Sequence, residues 1–262
     1  MSFGMPTLIE CDSLEDTLEL CKELGLDFVE LNMNLPQYQV DQLKEVKHLQ
    51  KLTNRYQSYY TVHLDENLNV SDFNKEVAKA YQNTVLSAIQ VAKILAIPIL
   101  NMHMNHGVHF TLPDRKVQLF QQYEQEYLRE MIQFRKMCET AIGTDDIKLC
   151  IENTEGFYPY EINAIDMLLE SKVFGLTWDI GHSHTAKEVD EPLIRKRQSR
   201  LSHFHIHDAL EEQNHMILGS GEINVRERLD LARKLECRCV IETKTVEALK
   251  KSVDWLREEK YL

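Results

Sequence analysis

Residues 200–222 read "RLSHFHIHDALEEQNHMILGSGE". Within this stretch "SHFHIH" places His203, His205 and His207 at alternate positions, with Phe204 and Ile206 between them. As a β-strand it turns all three imidazoles to one face and the two apolar side chains to the other. A face lined with imidazoles needs polar partners opposite it, and those must come from elsewhere in the chain. Seven further runs share the short, apolar or β-branched character of a strand: "PTLIE", "FVELNM", "YYTVHL", "IPILNMHM", "KLCIEN", "FGLTWDI" and "CRCVIET". Amphipathic segments separate them. "SLEDTLELCKELG" has Ser13 as cap, apolar residues at 14, 18, 21 and 24, and Gly25 as stop. "NKEVAKAYQNTVLSAIQVAKILA", "RKVQLFQQYEQEYLREMIQFRKMCETAIG" and "VEALKKSVDWLREE" are longer helical patterns.

Eight strands alternating with about as many helices is the pattern of an α/β fold, a (β/α)8 TIM barrel. The rival, a doubly wound open sheet, would carry a glycine-rich phosphate turn after an early strand, and none is present. The chain of 262 residues shows no linker, low-complexity tract or charge block, so residues 1–262 are expected to form a single domain.

Bulk composition narrows the function classes. With 42 acidic against 30 basic residues the formal charge is −12, which disfavours nucleic acid as the main partner. The one basic cluster, "IRKRQSR" from Ile194 to Arg200, leads into the "LSHFHIH" strand and so belongs at the bottom of a barrel. No apolar run reaches the roughly 18 residues that span a bilayer, so no membrane partner is expected. Six scattered cysteines without a CxxC pair suit reduced thiols, and no basic region followed by an apolar stretch opens the chain. A cytoplasmic protein is the expectation.

In a barrel the chemistry sits at the carboxyl ends of the strands. Six successive runs end in a side chain able to bind a metal: His63, His103, Glu152, Asp179 with His182 close behind, His205 and Glu242. A lone strand histidine is ordinarily a satisfied core group, but six in one structural slot are hard to assign to packing. Carboxylates converging at one mouth repel unless a cation lies among them. One imidazole of the "SHFHIH" row therefore faces a divalent metal. Mixed oxygen and nitrogen ligation suits manganese, zinc, iron or cobalt better than calcium.

These residues resemble the xylose isomerase-like barrels, a family of sugar and sugar-phosphate isomerases and epimerases that also includes endonuclease IV-type DNA-repair enzymes. The resemblance runs from "TVHLD" to "VIETK", and "CIENTEG", "TWDIGHSH", "HFHIHDA" and "HMILGSGEI" carry most of it. It implies a metal set of Glu152, Asp179, His205 and Glu242, with Glu152 and Glu242 also exchanging protons with a substrate carbon through a metal-stabilised enediolate. The endonuclease branch implies further metal ligands at His63, His103, His182 and His215. Gln213 stands where that branch has an aspartate, which argues against a full three-metal cluster.

The leading expectation is a divalent-metal-dependent sugar or sugar-phosphate isomerase/epimerase acting on a small-molecule carbohydrate. The alternative is a two-zinc phosphodiesterase resembling the AP endonucleases, and a third reading is a barrel that binds a metabolite without turnover. Self-association as a homo-oligomer is left open. Four features carry weaker expectations. "GSGE" is either a phosphate cradle or a plain turn, and Tyr158 and Tyr160 either wall a sugar or pack their loop. His203 is expected in the interior and His207 against substrate, while Asp208 either orients a ligand imidazole or holds its loop.

Overall fold

The computed structural model describes residues 1–262. Eight strands, Ser2–Pro6, Phe28–Asn32, Tyr59–His63, Ile99–His103, Lys148–Glu152, Phe174–Asp179, Leu201–Ile206 and Arg238–Ile241, pair in parallel in chain order. The last pairs with the first through Ser2 and Arg238, which closes a (β/α)8 barrel. Between strands the chain returns through helices, and these begin where the capping chemistry directs. Ser13, Asn74 and Thr245 accept main-chain N–H groups at the starts of Leu14–Glu23, Lys75–Leu95 and Val246–Glu258. No helix is long and apolar enough to cross a membrane. All six cysteines are free thiols.

Alternation along the strands sorts the side chains into two environments. Val29, Leu31, Val62, Leu100, Ile151, Trp178, Phe204 and Ile206 are buried between barrel and helices and form the main apolar core. The intervening positions point to the barrel axis, and their composition departs from the layers of branched aliphatics usual there. Ser2, Tyr59, Lys148 and Arg238 lie at the bottom, where Ser2 Oγ meets the Tyr59 hydroxyl at 2.9 Å. Above them Glu30, Thr61, Asn101, Thr177 and His203 make a buried polar layer. Thr61 donates to Glu30 at 2.8 Å and Thr177 to Asn101 at 2.5 Å. This layer is the floor on which the strand-end residues stand.

Two expected elements shift. Of "PTLIE" only Pro6 belongs to a strand, since the first strand is Ser2–Pro6. Its axis-facing positions are occupied by small Ser2 and Gly4, which hide the alternation, and Ile9 is 83% exposed. The helix expected from Arg115 begins only at Leu119, because residues 109–118 form an antiparallel hairpin turned at Pro113 and Asp114. Leu112 N–H donates to Arg115 O at 2.8 Å there, so turn chemistry overrides helical periodicity.

The basic "IRKRQSR" cluster lies at the amino end of the Leu201–Ile206 strand, opposite the strand ends that matter. It is consumed internally. Arg195 pairs with Glu191 and Glu227, Arg197 with Asp166, and Arg200 donates to the carbonyls of Ser171 and Phe174.

Gly4 is required by its neighbour. A Cβ at that position would lie 2.4 Å from the Phe28 ring, which itself stacks on Tyr59 at 5.0 Å. Gly4→Ala is expected to lower stability by about 1–3 kcal/mol through overpacking. Urea unfolding measures this, and a midpoint equal to that of the parent chain would contradict the packing described.

Candidate metal centre

Four of the six expected strand-end residues converge. One ligand atom each from Glu152, Asp179, His205 and Glu242 all lie within 4.8 Å of one another. His205 Nδ1 stands at the centre, 2.9 Å from Glu152 Oε1, 2.9 Å from Glu242 Oε2 and 3.9 Å from Asp179 Oδ2. Yet neither His205 nitrogen nor Glu242 Oε2 has a hydrogen-bond partner of acceptable angle, although all three atoms are shielded from solvent. The atoms are close, yet the angles between them are not those of hydrogen bonds. Buried polar groups without partners are costly, and one nitrogen with three carboxylate oxygens is a donor set suited to a divalent transition metal. The residues fit such an ion.

The electrostatics of the cluster are self-consistent. Burial pushes Glu152 and Glu242 toward the neutral acid, but His205, joined by His103 at Glu152 and by Lys244 at Glu242, outweighs it and holds both well below the usual carboxylate range. Burial likewise disfavours the His205 cation. Glu152, Glu30 and Glu242 overcome that and raise it well above its ordinary value.

Each member is held from behind. Glu30, buried in the Phe28–Asn32 strand, places Oε1 2.7 Å from His205 Nε2 and Oε2 2.9 Å from His203 Nε2. The metal-facing nitrogen of His205 is therefore Nδ1, with a carboxylate behind the other. Glu152 Oε2 accepts from Asn101 and lies 3.1 Å from His103 Nε2, which leaves Oε1 for the cluster. Glu242 Oε1 pairs with Lys244 at 2.7 Å, which leaves Oε2. Asp179 caps the helix Ile180–Thr185 through His182 N–H at 2.7 Å, and Asn153 bonds both main-chain groups of Asp179 at 2.9 Å.

The expected histidines divide. His63 Nδ1 donates to Leu64 O at 2.8 Å, so Nε2 faces Glu152 Oε2 at 3.3 Å. Burial opposes charging of His63, but the hydrogen bond and charge of Glu152 raise it to about 9. With His103 it brackets the outer oxygen of Glu152. His182 lies 3.9 Å from Asp179 and packs against His215, whose Nδ1 lies 3.1 Å from Glu242 O. His203 is fully buried in the interior, as expected.

His207 is not a substrate contact. It is fully buried, accepts from His215 N–H at 2.8 Å on Nδ1, and lies 3.1 and 3.2 Å from the two Asp179 oxygens through Nε2. Its ring fills the space beside Gly181, where a Cβ would sit 1.8 Å from it. Asp208 holds the loop: its carboxylate accepts from Ala209, Gly221 and Ile223 N–H at 2.9, 2.9 and 3.1 Å. Of the "GSGE" amides that resembled a phosphate cradle, Gly221 N–H is thus taken by Asp208, and those of Ser220 and Glu222 go to the carbonyls of Ile217 and Ala209. Tyr160 is buried packing, while Tyr158 is exposed at its edge. Glu30, Asn101, Asn153 and His106 are participants that sequence reading did not single out.

Above the cluster opens a cavity of about 680 Å³. Of its 18 lining residues only Met104 and Ala186 are hydrophobic. Asn32, Asn67, Asn105, Thr154 and Asn214 supply amides and a hydroxyl. Glu66, Glu152, Glu155 and Glu242 share the lining with Lys244 and five histidines, and no arginine contributes.

Comparison with known proteins agrees with this architecture. The uncharacterized protein MJ1311 of Methanocaldococcus jannaschii is 28% identical over 274 aligned positions, covering 98% of this chain and 89% of that one. The solved structure of a D-tagatose 3-epimerase-like protein superposes with a TM-score of 0.79 at 24% identity, covering 100% of this chain and 97% of the other. The 3-keto-D-glucoside 4-epimerase YcjR from E. coli gives 0.77 at 12%, covering 98% and 99%. The IolI protein, solved with a zinc atom, gives 0.76 at 14%, covering 100% and 99%. At these identities the likeness is one of fold. Residues 18–259 match the family model described as xylose isomerase-like TIM barrel, and the chain belongs to that family.

Proposed function

We propose that the protein is a divalent-metal-dependent isomerase or epimerase of a small sugar. The observation that carries this reading is the convergence of Glu152, Asp179, His205 and Glu242 beneath a cavity lined almost wholly by polar side chains. These four would hold the cation. When bound, it supplies Lewis acidity that polarises a substrate carbonyl and favours negative charge next to it. Glu152 and Glu242 both border the cavity, each with one oxygen tied back and the other turned to the cluster. One carboxylate removes the proton from the carbon beside the carbonyl, and that bonding pair delocalises into the carbonyl. The other glutamate, as an acid, returns a proton to carbon. The structural neighbours that are sugar epimerases or epimerase-like lean the same way.

The charge of the site favours an unphosphorylated sugar over a sugar phosphate. The amides of Ser220, Gly221 and Glu222 are taken within the chain, Lys244 is engaged by Glu242, and no arginine lines the cavity. The same features weigh against a phosphodiesterase, as does the internal pairing of the basic cluster. Two groupings speak for that alternative: ligand atoms of His63, Glu152 and His205, and of His182, His207 and His215, each lie within 4.8 Å of one another, as a second cation requires.

Deuterium incorporation from heavy water into a bound ketose tests the proton transfer. Glu152→Gln and Glu242→Gln are each expected to slow exchange by about 10²–10⁴-fold, and retained exchange in both would refute the roles assigned. Metal analysis separates the two enzymes. The isomerase reading expects about one equivalent per chain, lost in His205→Ala and kept in His103→Ala. Two equivalents together with cleavage of abasic DNA would support the phosphodiesterase. Finally, Glu30→Gln removes the charge behind His205 and is expected to weaken metal affinity by about 10–100-fold. Competition against a chelator measures it, and unchanged affinity would show that Glu30 does not support the ligand.

A further inference from the structure

The cavity wall carries an acid–imidazole pair that the chemistry above leaves unused. His106 lies three residues past the Ile99–His103 strand, is partly buried and lines the cavity. Its Nδ1 lies 2.8 Å from Glu161 Oε1. Glu161 is fully buried, and its Oε2 accepts from Tyr158 N–H at 2.9 Å in the first turn of the helix Pro159–Leu169. Both oxygens are therefore engaged, and the proton of a neutral His106 ring is fixed on Nδ1. Nε2 is left as the end without a protein partner.

The loop around His106 holds that ring in place. The Tyr160 hydroxyl donates to His106 O at 2.9 Å, and Asn105 Oδ1 accepts from Gly107 N–H at 2.9 Å. Tyr158 packs edge-on against the imidazole at 5.0 Å and 85°. Gly107 adopts φ +68°, and a Cβ there would meet the Phe120 ring at 2.6 Å. A glutamate that merely capped a helix could stay in water, whereas complete burial of a carboxylate is costly unless its charge is used. Here the Glu161 hydrogen bond, opposed by burial and aided by the charges of Glu161, Glu155 and Asp190, raises His106 above its ordinary value.

The geometry points to His106 and Glu161 as a second recognition site in the cavity, distinct from the carboxylate cluster, in which His106 Nε2 accepts a hydrogen bond from a hydroxyl group of a neutral polyol. This assignment rests on the sugar reading above. An anionic group would face the charges of Glu161, Glu155 and Asp190 and find no proton on Nε2, so a hydroxyl is the chemistry that fits.

Two variants separate recognition from loop anchoring. In His106→Asn the amide nitrogen can replace Nδ1 toward Glu161 but nothing replaces Nε2, and His106→Gln offers the reverse. With a panel of free ketohexoses, His106→Asn is expected to raise KM roughly 10–100-fold, with kcat and bound metal within about twofold of the parent, and His106→Gln to recover part of the loss. In the unmodified chain, the ¹⁵N resonance of His106 Nε2 should move on saturation with the bound sugar. An unchanged KM in His106→Asn with an unmoved resonance would overturn the assignment. Sugars that shift His106 without exchanging a carbon-bound proton would sink the isomerase reading and leave this site standing. Exchange with a silent His106 would do the opposite, and no binding by any ketohexose would sink both.

Discussion

Everything at the mouth of this barrel answers to one electrostatic problem. Glu152, Asp179 and Glu242 bring three carboxylates to within a few ångströms of one imidazole nitrogen, away from water. Like charges so close cannot all remain ionised unless positive charge stands among them. Against the effect of burial, Glu152, Glu30 and Glu242 raise His205 well above its ordinary value, and its nitrogens and Glu242 Oε2 lie close to their neighbours without making hydrogen bonds. A divalent cation would supply the same positive charge.

The rest of the interior follows from that demand. An imidazole set among acids must be kept from rotating, and Glu30 does this from below while Thr61 and His203 satisfy Glu30 in turn. Asn101 and His103 fix one oxygen of Glu152, Lys244 one oxygen of Glu242, and His207 with Asn153 fix Asp179. Such a network is favourable only when every member has its partners. The polar layer across the barrel thus takes the place of aliphatic packing because the layer above it must be rigid.

Much of this could be read from the residues alone, for a definite reason. Strand ends in a barrel share one rim, so Glu152, Asp179, His205 and Glu242 can be placed together before any coordinate is known. What stayed hidden depends on partners remote in sequence. Glu30 in "FVELN" looks like an ordinary pleat position, since the histidine it binds lies 173 residues away. His106 sits in a loop, and its partner Glu161 is 55 residues downstream. His207 continues the alternation of His203 and His205, but the strand stops at Ile206 and the ring turns to Asp179. The first strand was obscured because Gly4 yields its space to Phe28.

The acidic rim of the cavity also bears on kinetics. A field in which four glutamates stand beside one lysine and five histidines would act on charged solutes, and dissolved salt would damp it beyond roughly 10 Å. A solute without charge feels none of this. Ionic strength would therefore tune the approach of a divalent cation to the barrel mouth, while an uncharged solute would arrive by unassisted diffusion.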